Sequence, residues 1–148
     1  MIRKMQEGDL NSVLEIESLS FHDPWNKEAM LYELHENPFS YYWVIETEEK
    51  VIGFIGLWIT FDSAQITNIA IHPDYRHQGY GQLLMNQAIS EAQKKYAEYL
   101  TLEVRVSNEN AIRFYEKNGF MNVTTKKGYY QDNYEDAYYM VKALQVIE

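Results

Sequence analysis

The sequence predicts a mixed α/β domain in which helices cover both faces of one sheet. Three observations carry this expectation. Apolar runs of strand character recur at 41–46, 51–60, 65–71 and 100–105. Segments with apolar residues at i, i+3 and i+4 fall between and around them. The run that ends at Ile71 passes through Arg76-His77-Gln78-Gly79-Tyr80-Gly81 into a long amphipathic helix, the strand–turn–helix order of a crossover. At 148 residues the chain is one domain, 1–148, long enough to bury a core.

The elements follow in order. A short strand spans 2–5. Asp9 is placed to N-cap a helix with Leu10, Val13, Leu14 and Ile16 on its apolar side. Pro24 biases Asp23 away from helical angles, so 21–25 interrupts the chain. A second helix, 26–36, carries Met30, Leu31 and Leu34 and stops before Pro38. Residues 41–46 and 51–60 form a hairpin through the polar turn 47–50, and 65–71 is the next strand. The helix at 79–96 aligns Met85, Ala88, Ile89, Ala92 and Tyr96. Leu100, Leu102 and Val104 then alternate with Thr101, Glu103 and Arg105, giving a strand with two distinct faces. Asn108 caps a short helix, 109–118, which Gly119 ends in the left-handed position. Residues 120–127 and 136–143 form a last antiparallel pair.

Composition removes several classes of function. Cysteine is absent, which excludes disulfides, thiolate metal sites and a cysteine nucleophile. His22, His35, His72 and His77 show no metal-ligand spacing, and no metal is expected. No G-x-S-x-G element offers a serine nucleophile. With neither a leader nor an apolar run near 18 residues, the expectation is a cytoplasmic protein without membrane contact. The net charge of −9 disfavours nucleic acid and favours cationic partners such as amines or basic peptides.

The glycine turn is the first candidate site. The first turn of a helix carries backbone N–H groups without intrahelical acceptors, and the helix dipole adds positive potential there. Gly79 and Gly81 let a ligand approach the backbone, an arrangement that suits a pyrophosphate. The spacing is neither the dinucleotide fingerprint nor a P-loop. By itself the turn is equally compatible with a tight, well-packed connection.

Two residues offer acid–base chemistry. Glu103 lies mid-strand on the face opposite Leu102 and Val104. A carboxylate there must be paired, hydrated in a cleft or shifted in pKa, and it is either a general base or the ion-pair partner of Arg105. Tyr115, beside Phe114, is either a packing aromatic or a proton donor to a leaving group. Its reference pKa of about 10, against about 8.5 for a thiol, makes that transfer slightly uphill. Near the C-terminus, Tyr129, Tyr130, Tyr134, Tyr138 and Tyr139 surround Asp132, Glu135 and Asp136. These are either a receptor for a cationic peptide end or a hairpin with aromatic cross-strand pairs.

Taken together, these pieces resemble the GNAT family of N-acetyltransferases over nearly the whole chain. Arg76-His77-Gln78-Gly79-Tyr80-Gly81 fits that family's R/Q-x-x-G-x-G/A loop, and Asn68-Ile69-Ala70-Ile71 looks like its fourth strand. Several segments are similar to the bacterial ribosomal-protein-alanine N-acetyltransferases: Phe21 with Pro24-Trp25, Leu102-Glu103-Val104-Arg105, Ser107-Asn108, Phe114-Tyr115-Glu116-Lys117-Asn118-Gly119-Phe120, and Tyr129-Tyr130 followed by Glu135-Asp136-Ala137.

The resemblance implies a single mixed, mostly antiparallel sheet splayed near its centre. It implies acetyl-CoA as co-substrate, held by Ile69, Ala70 and Ile71, by Arg76, His77, Gln78, Gly79, Tyr80, Gly81 and Gln82, and by Asn108 and Tyr115. Glu103 is the implied base and Tyr115 the implied acid. Pro24, Trp25, Tyr129, Tyr130, Glu135 and Asp136 are implied to receive the acceptor. That acceptor is the basic N-terminus, beginning with alanine, of a small-subunit ribosomal protein, and the enzyme is expected to be a monomer. A polyamine acceptor and a non-catalytic acyl-CoA-binding module are the alternatives. The segment 131–134 is short and lacks the proline or glycine often found there.

Overall fold

The computed structural model describes residues 1–144. The elements are β1 (Ile2–Lys4), a 3-10 turn (Glu7–Asp9), α1 (Leu10–Ser20), α2 (Lys27–His35), β2 (Ser40–Thr47), β3 (Lys50–Thr60) and β4 (Ser63–Ile71). They continue with a second 3-10 turn (Pro73–Tyr75), α3 (Tyr80–Lys94), β5 (Tyr99–Arg105), α4 (Glu109–Lys117), β6 (Met121–Lys126) and β7 (Ala137–Ala143). The strands form one sheet in the order β1-β2-β3-β4-β5-β7-β6. Every neighbouring pair is antiparallel except β4 and β5.

That parallel pair positions the site. Its register covers only Ser63 with Tyr99, Ala64 with Leu100 and Gln65 with Thr101. Beyond Gln65 the two strands part, and the sheet opens into a wedge. A bulge in β4 lies at the root of the wedge: Leu57 faces Ile66 and Gly56 faces Asn68, so Thr67 is the additional residue. The bulge reverses the alternation of β4. Ala64 and Ile66 belong to the core beneath α3, whereas Ala70 packs in the core beneath α1 and α2, and Asn68 reaches Glu17 of α1.

Each sheet face has its own core. Leu84, Met85, Ala88 and Ala92 of α3 pack on Ile55, Leu57, Leu100 and Leu102. Leu10, Val13 and Ile16 of α1, with Met30 of α2, pack on Tyr42, Val44 and Phe54. A buried side chain of this size contributes about 1.5–3 kcal/mol. Gly56 has no room for a Cβ, because one built there would strike the Tyr42 ring and come within 2.7 Å of Asn68 Oδ1.

Two local expectations are corrected. Asp9 does not cap α1 with its side chain. Its carboxylate turns back to accept from the Gln6 backbone N–H at 2.8 Å and from the Arg3 Nη1 and Nη2 at 2.8 and 2.9 Å. A two-point ion pair outweighs one helix cap. Tyr96 does not continue the buried stripe of α3. The helix ends at Lys94, Tyr96 has a left-handed φ of 63° and is exposed, and Leu84 takes a core position instead.

Candidate active site

A cavity of about 610 Å³ fills the wedge between β4 and β5. Its walls come from the α1–α2 connection (Phe21, Trp25), β4 (Gln65 to Ile69), β5 (Leu102 to Arg105), α4 and its cap (Asn108, Tyr115), and the segment after β6 (Tyr129, Tyr130). Elements far apart in sequence thus meet where the sheet fails to close.

Glu103 projects into this cavity from β5, with its side chain 10% exposed. Gln65 Nε2 donates to its two oxygens at 3.2 and 2.9 Å. The Lys126 ammonium donates to Oε1 at 3.2 Å, and the Tyr129 hydroxyl donates to the same oxygen at 3.3 Å. Arg105, two residues on along the same face, has other partners: Asp132 at 2.9 Å, Glu135 at 3.2 Å and Asn133 at 3.1 Å. Its guanidinium lies 4.0 Å from the Tyr130 ring centroid. The pairing of Glu103 with Arg105 is therefore replaced by a pairing with Lys126.

Tyr115 lines the same cavity from α4 and is 9% exposed. Phe114 and Phe120 hold its ring, each at 5.7 Å between centroids. Burial, with a smaller contribution from Tyr130, raises the phenol well above the ordinary tyrosine range, so it stays protonated at neutral pH. Asn108 lines the cavity while its side-chain oxygen accepts from Ala111 N–H at 3.3 Å to cap α4.

The glycine turn lies beyond the cavity, at the far end of β4. His77 and Gly79 both take left-handed backbone angles, φ 63° and 91°. A Cβ at Gly79 would meet nothing within 4 Å, and one at Gly81 would come only to 3.9 Å from Phe114. Both glycines thus leave room beside the backbone, and the first turn of α3 has amides without intrahelical acceptors, so this turn could hold a diphosphate. Arg76, exposed, lies along the surface, donating from Nε to the Ile71 carbonyl at 2.9 Å and from Nη2 to Ser20 Oγ at 3.0 Å. Gln82 and Asn118 exchange amide hydrogen bonds at 2.7 and 3.2 Å, tying the start of α3 to the end of α4.

The other candidate residues divide. Ile69, Trp25, Tyr129 and Tyr130 line the cavity, and the two tyrosine rings meet edge to face at 5.0 Å. Burial, opposed by the Arg105 guanidinium and aided by Tyr129, Glu103 and Glu135, pushes Tyr130 up to about 12. Pro24, Glu135 and Asp136 are not among the lining residues. Glu135 accepts from the Ser107 N–H at 2.8 Å, which together with Arg105 and Asn133 holds its carboxyl below the usual range. Asp136 accepts from the Gly128 N–H at 2.9 Å and from Lys127 at 3.0 Å. Both acids shape the segment that carries Tyr129 and Tyr130.

Sequence reasoning missed Glu17, Trp58, Gln65, Asn68 and Lys126. Trp58 lines the cavity and donates its indole N–H to Glu33 at 3.0 and 3.1 Å. The alternation of β4 gave no signal for Asn68, because the bulge that reverses its face has no sequence mark. Among the described residues no group of His, Asp and Glu could hold a metal ion. None of the described helices is long and apolar enough to cross a membrane.

A splayed sheet, a glycine turn opening the following helix, and a carboxylate and a phenol facing one cavity define an acyl-transfer fold, and the chain belongs to the acetyltransferase (GNAT) family, whose pattern matches residues 10–120. It is an acetyltransferase, and acetyl-CoA is the donor that this family uses. It is 33% identical over 141 residues to the [ribosomal protein bS18]-alanine N-acetyltransferase of Escherichia coli strain K12, covering 94% of each chain. The crystal structure of the Escherichia coli ribosomal-protein-S18-alanine N-acetyltransferase superposes with a TM-score of 0.90, covering 100% of this chain and 96% of that one. A Bacillus subtilis strain 168 protein, whose name gives it the bS18-alanine activity provisionally, is 46% identical over 139 residues, 94% of this chain and 92% of its own. Ard1 from Thermoplasma volcanium superposes with a TM-score of 0.91 at 30% identity, covering 98% and 97%.

Proposed function

We propose that this protein transfers the acetyl group of acetyl-CoA to the N-terminal α-amine of a protein, with the alanine terminus of ribosomal protein bS18 as the favoured acceptor. The observation that carries this reading is that Glu103 and Tyr115 line one cavity, at the place where β4 and β5 part. The names of the relatives supply the acceptor. The net charge of −9 suits a basic one.

Each residue then has a task. Acetyl-CoA brings a thioester carbonyl open to attack by an amine. The turn from Arg76 to Gln82 holds the diphosphate on its backbone N–H groups, and the open edge of β4 from Ile69 to Ile71 aligns the arm behind it. An α-ammonium, with a pKa near 7.7–8.0, must lose a proton before it can attack. Glu103 accepts that proton, through water where the amine stands off, and passes it to solvent. A backbone N–H near Ile71 stabilises charge on the carbonyl oxygen. As the amine bonds to the carbonyl carbon and the C–S bond breaks, Tyr115 gives its hydroxyl proton to the departing sulfur and recovers one through water from the new amide nitrogen, which sheds its second proton. Pro24, Trp25, Tyr129, Tyr130, Glu135 and Asp136 form the acceptor side, the last two by shaping the tyrosine wall. The enzyme works as a monomer in the cytoplasm, where ribosomal proteins are made.

Three acceptors test the reading: a peptide with the bS18 N-terminal sequence, the same peptide already Nα-acetylated, and spermidine. Acetylation of the first alone, placed on the α-nitrogen by mass spectrometry, is expected. Preference for spermidine overturns the acceptor assignment. Acetyl-CoA binding without transfer to any amine overturns the enzymatic one.

A further inference from the structure

Glu17 is a buried acid that the chemistry above leaves unused. It sits in the last half of α1 with no exposed surface, yet it lines the cavity. A carboxyl in such a place is costly unless its oxygens are satisfied. Only one is. Oε1 accepts from Asn68 Nδ2 at 2.9 Å, and Oε2 has no hydrogen-bond partner. The backbone N–H of Trp25 approaches the same carboxyl from the α1–α2 connection. Burial, opposed by the Asn68 and Trp25 donors, pushes the carboxyl up to about 7.

The partner of Glu17 matters as much as its burial. Asn68 follows the bulged Thr67 of β4. Its Oδ1 accepts from the Tyr42 hydroxyl at 3.0 Å and from the Thr67 hydroxyl at 2.9 Å. The Tyr42 and Thr67 hydroxyls are themselves 3.0 Å apart. This network fixes the place where β4 turns away from β5. Glu17 is the member that also meets the segment carrying Phe21 and Trp25, on the acceptor side of the wedge. An isoleucine or leucine would fill the position at lower cost if packing were its only purpose.

We propose that Glu17 is a positioning residue for the acceptor: it ties the α1–α2 connection to the β4 bulge through Asn68, and so holds the acceptor wall in line with the reacting end of the wedge. This rests on the acceptor entering beside Trp25, as in the proposed function. Glu17 is expected to govern acceptor binding while leaving the glycine turn, at the other end of β4, untouched.

The test compares wild type, Glu17→Ala, Asn68→Ala and the double variant in steady-state acetylation of the bS18 N-terminal peptide, varying peptide and acetyl-CoA separately. Wild-type turnover tests the proposed function, and only the ratios of variant to wild type test Glu17. Each single variant is expected to raise the peptide KM about tenfold, the effect of losing one buried hydrogen-bonded contact. The acetyl-CoA KM is expected to stay within twofold. The double variant is expected to be no worse than the worse single one, since both break the same link. Glu17→Gln keeps an oxygen for Asn68 and is expected to recover part of the loss. A peptide KM within twofold of wild type in both single variants overturns the proposal. Equal rises in both KM values also overturn it, because they mark a general loss of structure. If Glu17→Ala does not fold, Asn68→Ala and Glu17→Gln decide by the same two ratios.

Discussion

The Lys126 ammonium reaches diagonally across β7 to the Glu103 carboxylate, 3.2 Å away. Lys126 pairs with Ala137 and Glu103 with Tyr139 on the intervening strand, and the lysine lies 4.7 Å from the Tyr139 ring centroid. The proposed base thus has a cation beside it before any acceptor arrives.

Lys126→Met removes one of the donors that aim the Glu103 carboxylate and is therefore expected to lower kcat about tenfold. Glu103→Gln is expected to lower kcat by about 10²- to 10⁴-fold, with acetyl-CoA affinity preserved. A pH–rate series on the three proteins, with calorimetric binding of acetyl-CoA, measures both effects.

Tyr115→Phe removes the proposed acid while keeping the ring between Phe114 and Phe120. The expected loss in kcat is about 10²-fold, at the lower end of general acid catalysis. Burial holds the wild-type phenol above its ordinary value, so its proton remains in place through neutral and mildly alkaline pH. Wild-type kcat is accordingly expected to show no alkaline fall below about pH 10, the reference value for an unburied tyrosine. A fall between pH 8 and 9 would assign the acid to another group.

Arg105 holds the segment after β6 through Asp132, Asn133 and Glu135, and it stacks on Tyr130. Arg105→Ala is expected to raise the peptide KM about tenfold or more while kcat at saturating peptide falls less than threefold, the pattern of lost positioning. Arg105→Lys recovers little, because a single ammonium cannot replace a fork with several acceptors. Limited proteolysis within 128–136 gives an independent measure of the loosened segment.

Stability is expected to fall as pH rises toward neutrality because of Glu17. Its folded carboxyl titrates at about 7, against 4.5 unfolded. The folded state therefore binds the proton more tightly, and the stabilisation is complete below the unfolded value and lost as pH rises through the folded one. The shift corresponds to about 3 kcal/mol. Asp9 works the other way: Arg3 lowers its carboxyl, so its contribution is present above the unfolded value of 3.8 and fades in acid. Urea unfolding at pH 5 and pH 7.5 should show wild type weaker at the higher pH, and Glu17→Gln should flatten that difference.

Part of this site is legible in the sequence. Glu103 stands out because alternation along β5 puts one acid on a face opposite three aliphatic residues, and a two-residue period of that kind survives folding. The glycine turn stands out because two glycines at a strand–helix junction have a backbone meaning. Lys126 is silent, since its contact depends on β7 lying between β6 and β5. Glu17 falls on the sheet-facing stripe of α1 with Leu10 and Val13, and nothing in its neighbours along the chain marks the Asn68 amide that it meets there. Asn68 falls on the wrong face in any two-residue alternation, because the register slip at Thr67 carries no composition signal. Asp9 has the right residue type for a helix cap, but Arg3, brought close by β1, claims its carboxylate.

The three residue pairs that join β4 to β5 make the molecule two half-sheets with a narrow seam. β1 to β4 ride with α1 and α2, whereas β5 to β7 carry Glu103 and the tyrosine wall. A long, thin molecule lodged in the gap would touch both halves at once, adding to the grip that the core beneath α3 already has on them.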